Sequence, residues 1–167
     1  MNEPIEICPL TKDTIEGFRN ALDSVAQEKQ YLLLTEAPPL EETVTFVLNI
    51  MKTDGIILVA KHAQHIIGWC DIRRAVLAGV WHCGLLGIGL IESYRNQGIG
   101  EQLLRAAIAQ AQQHDFKRIE LTVLSTNQRA YKLYRKLGFV EEGVKHRSVF
   151  LEGSYFDRIM MALWLDY

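Results

Sequence analysis

The sequence predicts a single α+β domain, covering residues 1–167, with one mixed β-sheet and helices on both of its faces. Apolar runs and helical periodicities follow one another in the order β-α-α-β-β-β-α-β-α-β-β. Only the segment 80–124 has the strand, helix, strand pattern of a parallel crossover, so the other strand pairs are expected to be antiparallel. At 167 residues the chain is long enough to bury a substantial core.

The N-terminal part is predicted to be a strand followed by two helices. A short strand over 5–8 precedes a helix that Asp13 and Glu16 are expected to open as a capping box. A loop over 31–39 ends in two prolines, and the second helix then runs to about Thr53. The apolar positions of the second helix that are expected to face the core are Val44, Val47, Ile50 and Met51.

Three strands and a long helix follow. The segments 55–60 and 64–73 flank a polar turn and predict a hairpin, and 80–91 is predicted to be the next strand. The segment 98–114 predicts an amphipathic helix, because its apolar residues recur at helical spacing. These residues are Ile99, Leu103, Leu104, Ala107, Ile108 and Ala111.

The last part is predicted to contain a strand, a short helix and a closing strand pair. Apolar and polar residues alternate over 118–124, as in a strand with two different faces. Asn127 can cap the following helix, which Gly138 ends. The segments 139–151 and 155–165 then form an antiparallel pair.

Composition excludes several classes of function. The formal net charge of −2 lacks the basic excess of a nucleic-acid-binding surface. No apolar run is long enough to cross a bilayer and the N-terminus does not resemble a signal peptide, so a cytoplasmic protein without a membrane partner is expected. The three cysteines have no metal-ligand spacing and are expected to stay reduced, and His62 and His65 lack a third ligand, so no metal site is predicted.

The segment Arg95–Gly100 is predicted to form an anion site. It connects a strand to a helix, and the free N–H groups at a helix N-terminus attract negative charge. Gly98 and Gly100 have no Cβ, so a ligand can approach their backbone closely. A phosphate or pyrophosphate is the expected ligand.

With two motifs further along the chain, this segment resembles the GNAT family of acetyl-CoA-dependent N-acyltransferases. The family's pyrophosphate signature is Arg or Gln, two residues, Gly, one residue, then Gly or Ala, and Arg95–Gly100 fits it. Asn127 and the run Leu133–Phe139 match two further family marks in register. The predicted element order also matches the family fold, and the closing strand is similar to that of branches that acetylate ribosomal-protein N-termini or small amines.

The resemblance implies a transferase that binds acetyl-CoA in a V-shaped opening between the strands that end near Ile91 and Leu124. Pantetheine would pair with the backbone of Ile88, Gly89 and Leu90, and Asn127 would bind the cofactor from the other side. The positions implied around the pyrophosphate are Arg95, Asn96, Gln97, Gly98, Ile99, Gly100 and Glu101. A homodimer is one possible assembly, because family members often dimerise.

The resemblance also implies direct acetyl transfer to a primary amine, either of a small molecule or of a protein N-terminus. Such an amine is mostly protonated at neutral pH, so a base must take its proton. Backbone N–H near Leu90 can polarise the thioester carbonyl. Tyr134 matches the family tyrosine near the thioester sulfur, and its phenol can serve as general acid for the departing thiolate.

The sequence offers several carboxylates as candidates for the general base. Family members carry a glutamate at the position of Thr122, or a carboxylate on the preceding strand at or near Gly84, and neither residue here is a base. Glu120 is the first candidate because it lies two residues before Thr122 on the same strand face, and Glu92 is the second. Two more carboxylates that could act through water are Glu36 and Asp71.

The loop 31–39 and the segment around Tyr155 correspond to the family's acceptor pocket. The residues expected near that pocket are Glu36, Trp69, Asp71, Glu92 and Tyr155. Two other functions remain open. One is an acyl-CoA-binding module without catalysis, and the other is a dinucleotide site, although Leu103 stands where the third glycine of that motif belongs.

Overall fold

The computed structural model describes residues 3–165, and these form a seven-stranded mixed sheet with four α-helices. The elements are β1 Ile5–Pro9, α1 Ile15–Ala26, α2 Leu40–Lys52, β2 Ile56–His62, β3 His65–Arg74, β4 Cys83–Leu90, α3 Ile99–Gln113, β5 Arg118–Leu124, α4 Gln128–Lys136, β6 Val140–Leu151 and β7 Ser154–Trp164. The predicted element order and the α+β class are therefore confirmed. No helix in this described range has both the length and the apolar character needed to span a bilayer.

The sheet has the strand order β1-β2-β3-β4-β5-β7-β6, and β4 and β5 form its one parallel pair within residues 3–165. The other neighbours are antiparallel, as expected from the single crossover. This arrangement is not the doubly wound parallel sheet of a dinucleotide-binding fold, so that interpretation of the glycine turn is wrong.

Apolar residues on both faces of the sheet form two cores. Leu58 and Val59 are adjacent on β2, and because side chains alternate along a strand they enter different cores. Leu58 packs in the core with Leu103 of α3, and α4 contributes to the same core. Val59 packs in the core with Phe18 of α1 and Val47 of α2. Helices therefore cover both faces, as predicted.

The start of the first helix differs from the prediction. A 3₁₀ turn over Lys12–Thr14 precedes α1, and the capping contacts join Thr11 and Thr14 instead of Asp13 and Glu16. The Thr14 hydroxyl accepts from the Thr11 N–H at 3.0 Å and donates to the Thr11 carbonyl at 3.0 Å. Threonine is itself a capping residue, and this pair lies two residues earlier with the same spacing.

Two further expectations are corrected. The strand predicted from residue 80 begins at Cys83, because Ala78–Val80 forms a 3₁₀ turn in the loop between β3 and β4. Val80 is 42% exposed, so its apolar character did not indicate a strand. Met51 is 40% exposed and does not face the core, because the buried side of α2 is formed by residues such as Val47 and Ile50.

Candidate active site

A cavity of about 590 Å³ opens where β4 and β5 separate. The two strands pair only from Cys83 to Leu85 on β4, and both continue beyond that point without pairing to each other. The 86–90 segment of β4 keeps β3 on one edge, so the backbone groups of its other edge have no strand partner. These groups form one wall, and β5, α4, the start of α3 and the segment after α1 form the others.

Every predicted cofactor-binding position except Gln97 borders this cavity. The positions are Ile88, Gly89, Leu90, Arg95, Asn96, Gly98, Ile99, Gly100, Glu101 and Asn127. Gln97 is exposed, and its side-chain amide donates to the Ser93 carbonyl at 3.2 Å, outside the cavity. The geometry thus brings the glycine turn and both strands to one opening, while the binding roles themselves stay predictions.

The glycine turn leaves the N-terminus of α3 open. Asn96 and Gly98 have φ values of 63° and 78°, and no side chain caps α3 at Gly98. The first N–H groups of α3 therefore point into the opening. A Cβ on Gly100 would lie 4.0 Å from its nearest neighbour, the Leu133 side chain, so contacts within the protein do not require glycine there.

The side chain of Arg95 makes contacts within the protein as well as bordering the cavity. Its Nε donates to the Leu90 carbonyl at 2.9 Å, and its two terminal nitrogens bind the Glu28 carboxylate at 2.7 and 2.5 Å. Its guanidinium also lies 4.8 Å from the centre of the Tyr31 ring. The hydrogen bond to Glu28 raises the pKa of Arg95 above its usual range. The Arg95 side chain therefore joins the end of β4 to the segment after α1.

The cap residue of α4, Asn127, and one residue within α4, Tyr134, border the cavity from the β5 side. The Asn127 Oδ1 accepts from the Ala130 N–H at 3.2 Å, which confirms Asn127 as the helix cap. Tyr134 is 6% exposed and packs against the Phe139 ring at a centroid distance of 5.8 Å. Burial, with a smaller effect from Cys70, raises the pKa of the Tyr134 phenol well above 10, so the phenol keeps its proton at neutral pH.

The first candidate base does not reach the cavity. Glu120 pairs with Leu85 at the last position before β4 and β5 separate. Its carboxylate lies 2.7 Å from Arg118, and the side chain is 46% exposed. Thr122, two residues further along β5, does border the cavity, because it lies beyond the point where β4 and β5 separate. The structure therefore does not bring Glu120 to the cavity, and its role as base stays a prediction.

The five residues expected near the acceptor pocket do not line the cavity either. Glu36 and Glu92 are exposed, and Tyr155 is 57% exposed in the β6–β7 hairpin, where its ring contacts Phe150. Trp69 is 3% exposed and forms part of the core beneath α1. Asp71 is also 3% exposed and lies beside β4.

The loop after α1 does border the opening, as expected. Tyr31, Leu32 and Leu33 line it, and they make this wall mostly apolar. The sequence did not predict two contacts at this opening: Glu28 holds the loop to Arg95, and Arg129 donates to the Asn96 side chain at 3.1 Å. No local pattern marks either residue, because each contact joins segments far apart in the chain.

A parallel strand pair that opens beside a glycine turn is the arrangement expected of an acetyltransferase, and the comparisons agree. The family model described as Acetyltransferase (GNAT) family matches residues 22–139, and the chain belongs to this family. This family is one of acetyltransferases.

Individual proteins support the same assignment. The L-amino acid N-acetyltransferase AaaT of Escherichia coli is 34% identical over 82 residues, 48% of this chain and 51% of that protein. The chain spans about half the length of the curated relatives it matches.

Solved structures cover the chain more completely. A GNAT-family acetyltransferase from Streptococcus pneumoniae is 29% identical with a TM-score of 0.90, covering 97% of this chain and all of that one. The structure of yncA from Salmonella typhimurium, with its cofactor acetyl-CoA, shares the fold at 14% identity and a TM-score of 0.92, covering 99% and 96% of the two chains.

Proposed function

We propose that this protein is an N-acetyltransferase that moves the acetyl group of acetyl-CoA directly to a primary amine in a ternary complex. The observation that supports this most strongly is the continuity of one cavity. It extends from the open N-terminus of α3, past the unpaired edge of β4, to the phenol of Tyr134. A long thioester cofactor can therefore contact all three along its length.

The glycine turn is suited to the pyrophosphate. Free N–H groups and the positive end of the α3 dipole attract the phosphates, and the space over Gly100 lets them approach the backbone. The pantetheine amides would pair with the free edge of β4 at Ile88, Gly89 and Leu90, as an added strand does. The amide NH₂ of Asn127 has no partner among the described residues and borders the cavity, so it is free to bind the cofactor.

The chemistry follows from the same walls. A backbone N–H on the unpaired 86–90 segment of β4 polarises the thioester carbonyl, and the buried, protonated phenol of Tyr134 donates to the departing thiolate. Direct transfer is favoured over a cysteine intermediate. Cys70 is fully buried, and burial raises the pKa of its thiol well above 9, so it is a poor nucleophile.

The acceptor would enter beside the loop after α1. Leu32 and Leu33 give this wall an apolar surface, and Tyr31 closes it towards Arg95. The E. coli relative is an L-amino acid N-acetyltransferase. Small primary amines and protein N-termini are thus both candidate acceptors.

The alternative is an acyl-CoA-binding module without turnover. One observation favours it: among the described residues that border the cavity, Glu101 is the one carboxylate, and no histidine is present. Glu101 is held by Lys136 at 2.7 Å and Arg105 at 2.8 Å. A base for the amine must therefore come from outside the cavity wall.

A thermal-shift titration with acetyl-CoA, with NAD as control, tests binding first. A ligand at about 100 times its dissociation constant adds about 2.7 kcal/mol, or roughly 5–11 °C for a domain of this size. An amine screen that follows release of free thiol then tests turnover. A shift with acetyl-CoA and thiol release with an amine support the proposal. A shift without release from any amine supports the binding module, and no shift contradicts both.

A further inference from the structure

Asp71 is a buried carboxylate with an unsatisfied oxygen beside the candidate active site. It is 3% exposed, and its Oδ2 lies 3.0 Å from the Arg73 Nε. The Arg73 N–H is not directed at this oxygen, so neither atom has a hydrogen-bond partner in the described structure. The other buried charged residue in this range, Arg74, is fully used by carbonyls of surrounding loops. Asp71 is therefore a buried carboxylate whose Oδ2 has only the ion pair with Arg73.

Glycines on β4 bring Asp71 close to the cavity. Asp71 pairs with Gly87 across β3 and β4, and its Oδ1 lies 2.8 Å from the position that a Cβ on Gly87 would occupy. The carboxylate thus occupies the space that any other residue at 87 would fill. Gly87 itself borders the cavity, on the 86–90 segment whose far edge is unpaired. One residue without a side chain therefore separates the carboxylate from the cavity.

The reaction needs a proton acceptor that the cavity wall lacks. Glu101 lies at the pyrophosphate end, where hydrogen bonds from Lys136 and Arg105 lower the pKa of its carboxyl. Glu120 is bound to Arg118 where β4 and β5 are still paired. Asp71 is the buried carboxylate next to the segment of β4 that would hold the thioester.

We propose, on the basis of the proposed acetyl transfer, that Asp71 accepts the proton of the acceptor ammonium through one water molecule over Gly87. The water takes a proton from the ammonium as it gives one to Oδ1, the Asp71 carboxylate oxygen nearer to Gly87, which leaves a neutral amine. The amine nitrogen then bonds to the thioester carbonyl carbon, and the carbon–sulfur bond breaks. Tyr134 gives its proton to the thiolate, and the second proton lost by nitrogen restores the phenol. Asp71 releases its proton to solvent after the amide leaves.

The surroundings of Asp71 agree with this role. Burial raises the pKa of its carboxyl to about 6, against the opposing effect of Arg73, so the group is ionised at neutral pH and still basic. Its cross-strand partners Ile57 and Gly87 do not titrate. The Phe46 ring of α2 lies against Arg73 at 5.7 Å, and the pKa of the neighbouring Cys70 thiol is raised well above 9.

The test compares Asp71→Asn with Asp13→Asn, which removes an exposed carboxylate outside the cavity wall. Both full-length variants are assayed for thiol release with acetyl-CoA and an amine that the wild-type protein acetylates. We expect kcat/KM for the amine to fall about 100-fold or more in Asp71→Asn at neutral pH. We expect the acetyl-CoA thermal shift to stay at the wild-type value and Asp13→Asn to keep full activity.

A pH series separates a base from a structural residue. The wild-type rate should rise with an apparent pKa near 6 that Asp71→Asn lacks. The deficit of the variant should shrink as the pH approaches the amine pKa of about 10, because the amine then arrives neutral. Unchanged turnover, a deficit that does not vary with pH, or a lost acetyl-CoA shift in Asp71→Asn would overturn the assignment. Absence of wild-type turnover with every amine would overturn the proposed function instead.

Discussion

The same substitution, Asp71→Asn, should make the folded protein more stable at neutral pH while it impairs transfer. Burial raises the pKa of Asp71 from 3.8 to about 6, which means that the folded state disfavours the ionised carboxylate. A shift of about two pKa units corresponds to a penalty of about 3 kcal/mol when the group is fully ionised. Asparagine has the same shape and no charge, so it removes this penalty.

The sign of the pH dependence follows from the raised pKa. Between about pH 4 and pH 6 the folded state holds more protons on Asp71 than the unfolded state does, so the free energy of unfolding falls as pH rises. The full penalty is present above about pH 7 and absent below about pH 4. We expect Asp71→Asn to melt roughly 6–12 °C above the wild-type protein at about pH 7.5. The two melting temperatures should converge near pH 4.

Thermal unfolding followed by circular dichroism across this pH range measures the difference directly. Asp13→Asn serves as control, because its exposed carboxylate should leave the melting curve unchanged at every pH. An Asp71→Asn protein that melts below the wild type at pH 7.5 would refute the reasoning. So would a stability difference that is the same at pH 4 and pH 7.5, because a charge penalty must vanish when the group is protonated.

Three further substitutions test the remaining parts of the site. Gly100→Val should weaken acetyl-CoA binding at least tenfold with little change in melting temperature, because its Cβ meets no protein atom closer than 4.0 Å but covers the α3 N-terminus. Titration calorimetry measures the affinity, with Gly79→Ala as control. An unchanged affinity would contradict the pyrophosphate assignment. Glu28→Gln should lower the free energy of unfolding by about 1–3 kcal/mol and raise KM for the amine, because the Arg95 guanidinium loses its ionic partner. Denaturant unfolding measures the stability, and steady-state kinetics measure KM. An unaltered KM would show that the loop does not shape the acceptor site. Tyr134→Phe should reduce kcat about 100-fold at unchanged acetyl-CoA affinity. Steady-state kinetics measure this effect. If the variant keeps the wild-type rate, the phenol is not the general acid.

Local patterns were sufficient for the order of the elements. The periodicity of 98–114 and the alternation of 118–124 are properties of neighbouring residues, and α3 and β5 lie where those patterns predicted them. The Asn127 cap was predictable for the same reason, since its contact with Ala130 spans three residues. The wrong start of the strand at residue 80 also has a local cause. The 3₁₀ turn at Ala78–Val80 is as apolar as a strand, so composition alone does not distinguish the two.

The candidate site depended on the sequence and the tertiary structure in different ways. The sequence by itself determined the glycine turn, Asn127 and Tyr134, because these lie within or beside single elements whose geometry is set locally. Only the tertiary structure decided which carboxylates lie near the cavity. The ion pair of Arg95 with Glu28 joins residues 67 positions apart, and Asp71 reaches the cavity edge only through the register that pairs it with Gly87. Glu120 lies outside the cavity wall because β4 and β5 separate just beyond it. Strand register and the point of separation result from the packing of the whole sheet, and no short segment of sequence encodes them.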